Sequence, residues 1–365
     1  MLTFLSIFVG WVVGVHPVEL TVGGDVATIE ILLDDASVGK LEGRPWKMNV
    51  DFGPALVPHR LVAVGRDAGG TELARIAQWL NFPGDLVKAE LTALPLTFSG
   101  KPPDAAEMAG WFVRDGEPLE VAKVESGGAD ILIVQEATPR LWGKLLRLHK
   151  DTMEGGSGDP LKQKLTSGLH HGDSLRVLLP VGPTSGSPMQ QFFVSDDFAD
   201  LDYGPATTGV VERRFAEARP YGVLATLPFP FEGAMRDDAP RRVADAVAAA
   251  AQIVAAKGRP RAVVLIKDRD TKDVSAHRPE SVRRYLERMH VPLLVWSPER
   301  SKKDPWGDVL NISSEQELLR AVLQLRRALD DQHLVWLRGR HLPQEIELSA
   351  AAAERAERVG AAGTG

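Results

Sequence analysis

Hydrophobic spacing along the chain follows two patterns. After an almost unbroken apolar run from Leu2 to Val15 (LTFLSIFVGWVVGV), closed by His16-Pro17, short alternations dominate to about Pro83. Trp46, Met48, Val50 and Phe52 fall on one face of a period-two strand, and Asp34-Asp35 and Asp67-Ala-Gly-Gly70 break the runs. Several short strands with Gly, Pro and Asp punctuation predict a small antiparallel sandwich over 16–83. Residues 84–128 stay strand-like, with Lys101-Pro-Pro-Asp104 as a loop and Asp115-Gly116 as a hairpin signal, and read as a β linker unit.

From about Ala129 strands alternate with helices. Ile131–Val134, Leu175–Leu179, Ala262–Ile266 and Val291–Trp296 are buried-strand runs, as is Gln191-Phe-Phe-Val194. Between them, Leu141, Leu145 and Leu148 share a helical face; so do Val243, Val247, Ala250 and Val254, and so do Val282, Tyr285, Leu286 and Met289. Ser314 stands three residues before Glu317, the spacing of a capping box, ahead of Leu318, Val322, Leu325 and Leu329. This alternation predicts an α/β fold over 129–348, a doubly wound and mostly parallel sheet with helices on both faces. The Ala-rich end, 349–365, reads as a disordered tail.

The apolar run at 1–15 is shorter than the ~20 residues that span a bilayer, and its length and apolarity match the core of a signal peptide ending near Gly14. The expectation is a secreted or periplasmic protein with no membrane span in the mature chain. There are no cysteines, which excludes disulfides, thiolate metal sites and a cysteine nucleophile. A formal net charge of −6, with both signs dispersed, offers no basic stripe for nucleic acid.

Around Gly39-Lys-Leu-Glu-Gly-Arg-Pro-Trp46, Asp51-Phe-Gly53 and His59-Arg-Leu-Val-Ala-Val64 the first part resembles the bacterial immunoglobulin-like modules of surface and secreted proteins. From Ala129 to Leu348 the order of elements resembles the von Willebrand factor type A family. In that family a first-strand Asp-x-Ser-x-Ser, a loop Thr and a later strand-end Asp-Gly hold Mg²⁺. The corresponding stretch here is Gln135-Glu-Ala-Thr-Pro139, so Gln, Ala and Pro replace the Asp and both Ser. The loop Phe231–Pro240 has no Thr. Only Asp268 matches the last ligand, and Arg269 follows it in place of Gly. One carboxylate between Lys267 and Arg269 is a poor start for an ion that demands octahedral oxygen ligation. The resemblance therefore implies a degenerate metal site and no cofactor, with Glu136, Thr138 and Asp270 as the nearby oxygen-bearing substitutes.

Other chemistry is weaker still. Asp268-Arg-Asp-Thr-Lys-Asp273 lacks the Gly and terminal Glu of a calcium loop; His170-His171 has no ligand spacing beside it; and Gly155-Gly-Ser-Gly-Asp159 fails the nucleophile-elbow pattern. No phosphate-binding Gly loop is present. What emerges is a non-catalytic protein-interaction or adhesion-type module outside the cytoplasm. Its binding face would comprise Gln135, Glu136, Thr138, Asp268, Arg269, Asp270 and Ser297, and its partner would be a protein bound without metal. A hydrolase on an α/β scaffold and a structural spacer of the envelope are the alternatives.

Overall fold

The computed structural model describes residues 2–6, 8, 11–83, 90–136, 138–153, 170, 172–180, 211–214, 241–268, 272–299 and 303–360. They fall into two units, Met1–Lys88 and Ala89–Gly365. In the first, two antiparallel sheets face each other. Strands β1 (Leu2–Phe4), β2 (Val15–Val22) and β5 (Lys47–Asp51) form one in the order β1-β2-β5. Strands β3 (Thr28–Leu33), β4 (Ala36–Leu41), β6 (His59–Arg66) and β7 (Glu72–Leu80) form the other, β4-β3-β6-β7. The Asp34-Asp35 break turns β3 into β4 with φ of 51° and 67°, a left-handed pair that short Asx side chains tolerate in a tight hairpin. Val18, Leu20, Ile29, Ile31, Val50, Phe52, Leu61 and Ala63 fill the space between the sheets.

The apolar start of the chain belongs to that core. β1 pairs antiparallel with β2, Leu2 opposite Val22 and Phe4 opposite Leu20, and Leu2 and Val12 are buried with Phe4 and Phe8 packed beside them. Phe8 meets Phe52 edge-on, ring centroids 5.8 Å apart. The Asn81 amide holds Val12 by both main-chain groups, accepting its N–H at 2.9 Å and donating to its carbonyl at 2.8 Å. Residues ahead of His16 thus belong to the sandwich, and cleavage near Gly14 would remove one strand and part of the core.

The second unit combines a further sandwich with an α/β layer. Strands β8 (Leu91–Phe98), β9 (Phe112–Arg114), β10 (Glu117–Pro118) and β11 (Val121–Glu125) precede the α/β segment. Strands β18 (His333–Arg338), β19 (Glu347–Leu348) and β20 (Ala356–Arg358) follow it. They interleave as β11-β18-β8-β20 and β10-β9-β19. Asp115 and Gly116 make the β9–β10 turn with φ of 51° and 80°, as the dipeptide predicts. Leu94, Leu96, Met108, Phe112, Val335, Leu337, Ile346 and Ala356 form the core. The segment read as a linker and the end read as a tail therefore meet in one sandwich: Ala356 pairs with Phe98, and a one-turn helix at Ala350–Ala353 buries Ala352. The boundaries drawn at 128/129 and 348/349 are corrected accordingly. Four of its strands precede the α/β segment and three follow it, and neither set buries its apolar face alone.

The α/β layer is a six-stranded sheet, β14-β13-β12-β15-β16-β17, formed by β12 (Asp130–Gln135), β13 (Ser174–Leu179), β14 (Val211–Arg214), β15 (Arg261–Ile266), β16 (Leu293–Ser297) and β17 (Val309–Asn311). All pairs are parallel except β13 with β14. Helices α1 (Pro139–Met153), α2 (Val243–Ala255), α3 (Pro279–Arg288) and α4 (Glu315–Asp330) cover it. The predicted faces are buried: Leu141 and Leu145 on α1; Val243, Val247, Ala250 and Val254 on α2; Val282, Tyr285 and Leu286 on α3. Ser314 caps α4, its hydroxyl accepting the Glu317 N–H at 3.3 Å. The strand run at 191–194 lies outside the described residues.

Gln332 and Gly258 illustrate how this layer is tied to the second sandwich. The Gln332 amide, buried between α4 and β18, bonds the N–H and the carbonyl of Arg261, each at 2.9 Å, and the Ala328 carbonyl at 2.7 Å. Gly258, at the turn from α2 to β15, has φ of 56°, and a β-carbon there would stand 2.4 Å from the Trp336 ring of β18. Only glycine admits both that backbone and that approach.

Candidate functional site

In the chain's own order, the parallel strands run second, first, third, fourth and fifth across the sheet, from β13 through β12 to β17. The connections reverse direction between β12 and β15, and the crevice beyond the carboxyl ends of strands at such a point is where open α/β sheets bind ligands. Glu136 follows β12 and Asp268 follows β15, so two of the three acidic residues of the sequence reading stand at this crevice. Glu136 is buried, and its Oε2 accepts the Asp268 N–H at 2.7 Å. Thr138 caps α1 by accepting the Leu141 N–H at 3.0 Å, and its hydroxyl donates to Asp268 Oδ2 at 3.3 Å. Pro139 at the first helical position lacks the N–H that would otherwise go unpaired there.

The sequence reading, which named Lys267 and Arg269, missed two further cations. Arg140 and Lys144, successive on one side of α1, reach back over the crevice: Lys144 Nζ lies 3.7 Å from Asp268 Oδ1 and Arg140 Nε 3.9 Å from Oδ2. Both bond the carboxylate of Glu299, just beyond β16. The hydrogen bond from Lys144 holds the Glu299 carboxyl below its ordinary range, partial desolvation opposes this, and the bond from Arg140 adds to the lowering. Ser297, buried at the end of β16, accepts the Glu299 N–H on its hydroxyl at 3.2 Å. Beside them Lys267 pairs with Asp304 at 2.6 Å. A signal for Arg140 was present: α1 has no acidic residue in its first turn and carries a base there instead, against the preference set by the helix dipole.

Gln135 closes β12 and is buried beneath the crevice. The structure thus brings Glu136, Thr138 and Asp268 together, with Ser297 one strand further out. Arg269 and Asp270 lie outside the described residues, as do the loop 231–240, His171 and the glycine loop at 155–159. His170 donates its N–H to Asp173 at 2.7 Å, as a turn residue would. Among the described residues, no three His, Asp or Glu side chains are grouped as ligands for a metal.

Asp273, from the stretch weighed as a calcium loop, caps a helix. Its two oxygens accept the N–H groups of Val243 and Ala244 at 3.1 and 3.0 Å, the exposed donors of the α2 N-terminus, where Arg242 supplies no side-chain cap. Asp273→Ala is expected to cost about 1–2 kcal/mol. Urea unfolding of the full chain checks this, and an unchanged midpoint would show the cap to be dispensable.

No protein-family model matches the chain, and no curated protein matches it. Among solved structures it is similar to fibronectin(III)-like modules of Clostridium thermocellum CbhA, at 12% identity over 22% of this chain and 92% of that one, TM-score 0.20. It is also similar to proximal thread matrix protein 1 from the mussel byssus, in a form described with a zinc-occupied MIDAS motif, at 15% identity over 59% of this chain and 48% of that one, TM-score 0.30. A third similarity is to the human COPII-coat protein Sec24c, at 8% identity over 65% of this chain and 44% of that one, TM-score 0.28. The chain spans less than half the length of the mussel and human proteins.

Proposed function

We propose that the α/β layer is a non-catalytic protein-binding module, of the interaction or adhesion type, whose binding face is the crevice at the carboxyl ends of β12, β15 and β16, and that it binds without a metal ion. The observation that carries this reading is the occupancy of the crevice by the chain's own cations. An ammonium and a guanidinium stand within 4.0 Å of Asp268, where a divalent cation sharing that carboxylate would meet two like charges. One oxygen of Glu136 is already spent on the Asp268 N–H. The donors present do not fit a Mg²⁺ site, because Asp268 already faces two cations while Glu136 and the Thr138 hydroxyl are engaged in hydrogen bonds within the chain.

The module is placed outside the cytoplasm in this proposal, on the strength of the resemblance of the first unit to the immunoglobulin-like modules of surface and secreted proteins; the apolar start of the chain, packed in the sandwich core, does not add to it. Fractionation of the native host tests that part, and a product confined to the cytoplasm would overturn it.

Calorimetric titration of the full chain with Mg²⁺ and with Mn²⁺ should give no saturable heat, and capture of a protein partner from the host should be unchanged by EDTA. Micromolar binding of either ion, lost on Asp268→Ala, would end the metal-free reading. Capture that survives Arg140→Glu and Lys144→Glu would move the binding face elsewhere, because inverting two charges on a contact surface weakens association.

A further inference from the structure

The stretch ahead of β2 carries apolar side chains inward and outward. Leu2, Phe4, Phe8 and Val12 belong to the sandwich core. Leu5 and Val15 do not: at 52% and 61% they are the two most exposed large hydrophobic side chains among the described residues. No Asp, Glu, Lys or Arg occurs before Glu19. A strand with one face on a core ordinarily turns polar residues outward, so this outer side departs from the rule.

The attachment of the stretch is equally particular. Strand β1 holds an edge and pairs with β2 alone. The Asn81 amide clamps Val12, and the Gly14 main chain donates to the Gly53 carbonyl at 2.6 Å and accepts the Phe52 N–H at 2.9 Å. Gly14 joins the stretch to β2 with φ of 73°, and a β-carbon there would meet nothing within 4 Å. Crowding therefore does not call for glycine at this position; the backbone angle does. Turned to the extended φ that glycine adopts as readily, the same residue directs the stretch onward from β2 and out of its own sandwich.

We propose that the segment 2–14 exchanges between two copies of the chain, each laying its β1 on the β2 of the other, with Gly14 as the hinge. The occupant follows from the fit. The place beside β2 already holds this sequence, and exchange restores each contact across two chains: Leu2 opposite Val22, Phe4 opposite Leu20, Phe8 against Phe52 and Asn81 on Val12. What exchange adds lies at the crossing. Two segments that pass each other about a twofold axis at Gly14 bring Val15 of one copy beside Val15 of the other, and the apolar side left open in one copy is covered in two. The net charge of −6 keeps copies apart elsewhere, but the crossing stretch itself carries no acidic or basic side chain to repel its counterpart. The inference concerns the first unit and stands apart from the crevice of the α/β layer.

The chain has no cysteine, which makes a cross-link the direct test. Thr3 and Thr21 are exposed and stand opposite each other on β1 and β2, a separation that a disulfide spans. Full-length chains carrying Thr3→Cys alone and Thr21→Cys alone are mixed, unfolded in urea, refolded together at high protein concentration and oxidised. A disulfide-linked heterodimer should form in clear excess over a control mixture in which Ser37→Cys, exposed on β4, replaces Thr21→Cys. Gly14→Val, which disfavours the positive φ of the closed form in both copies, should raise the dimer association constant about tenfold or more by sedimentation equilibrium. A heterodimer yield no higher than the control overturns the proposal, whatever the sedimentation shows, because a dimer without that cross-link joins its copies elsewhere. Unchanged association in a folded Gly14→Val chain removes the hinge on which the exchange turns, and the proposal with it.

Discussion

Deleting residues 1–14 is expected to abolish the cooperative melt of the first sandwich. The deletion takes away strand β1 and the buried Leu2 and Val12, each worth about 1.5–3 kcal/mol on burial. It also removes Phe4 and Phe8 from the core and two main-chain partners of the buried Asn81 amide, whose bond to the Val57 carbonyl remains; two lost hydrogen bonds cost about 1–3 kcal/mol. The combined loss, on the order of 5 kcal/mol or more, matches the whole stability of many small domains. Differential scanning calorimetry of the full chain and the deleted chain decides it. A melting profile unchanged by the deletion would show that the sandwich does not need the apolar run, and removal of that run as a leader would then cost the fold nothing. Asn81→Ala, which breaks the clamp on Val12 and the bond to the Val57 carbonyl, should lower the same transition by a smaller step.

Why the run reads as a leader in the sequence is clear from its chemistry. An apolar stretch too short to span a bilayer has one composition whether it is a signal core or a buried strand, and LTFLSIFVGWVVGV lacks the alternation that would mark a half-exposed strand. The information that settles its place is not local: Asn81, far along the chain, reaches back to both main-chain groups of Val12. The α/β layer was legible for the opposite reason. Leu141 and Leu145, or Val282, Tyr285 and Leu286, are spaced within single helices, and the fully buried runs at 131–134 and 262–266 need no distant partner to be read as strands. The sandwich around that layer was not legible, because Val335 finds Leu94 across the whole α/β segment and no periodicity records such a pairing. At the crevice, strand ends pointed to Glu136 and Asp268. The bases above them lay on a helix that had been read only for its apolar face, and Glu299 could be placed only once the strand order put β16 beside β15.

Acid is expected to loosen the second unit through His290. This residue follows α3 with a φ of 50° and is buried, 4% exposed, with Arg261 and Arg358 near it. Desolvation first, and then the charges of Arg358 and Arg261, push its pKa down to about 4, against the opposing pull of the Pro343 and Val359 main chain. Arg261 gives no relief: its guanidinium spends its donors on the carbonyls of Ala255, Met289 and His290, and with its own pKa lowered by burial to about 10 it is still charged in acid. An unfolded histidine titrates near 6.5, so between that pH and about 4 the unfolded chain holds a proton that the folded chain refuses. Stability is therefore full above about pH 6.5 and falls with acidification toward pH 4, by about 3 kcal/mol for a shift of this size. His277, also lowered by desolvation, adds a loss of the same sign. Glu72, Glu125 and Glu299, all held below their ordinary value of 4.5, give up their contributions only in more acidic solution, so the histidines own the window above it. Urea unfolding at pH 7 and at pH 4.5 measures the effect. His290→Asn, which suits the left-handed backbone and cannot take up a proton there, should remove most of the difference between the two pH values. If the variant loses as much stability in acid as the unaltered chain, the burial of His290 is not what makes this unit acid-sensitive.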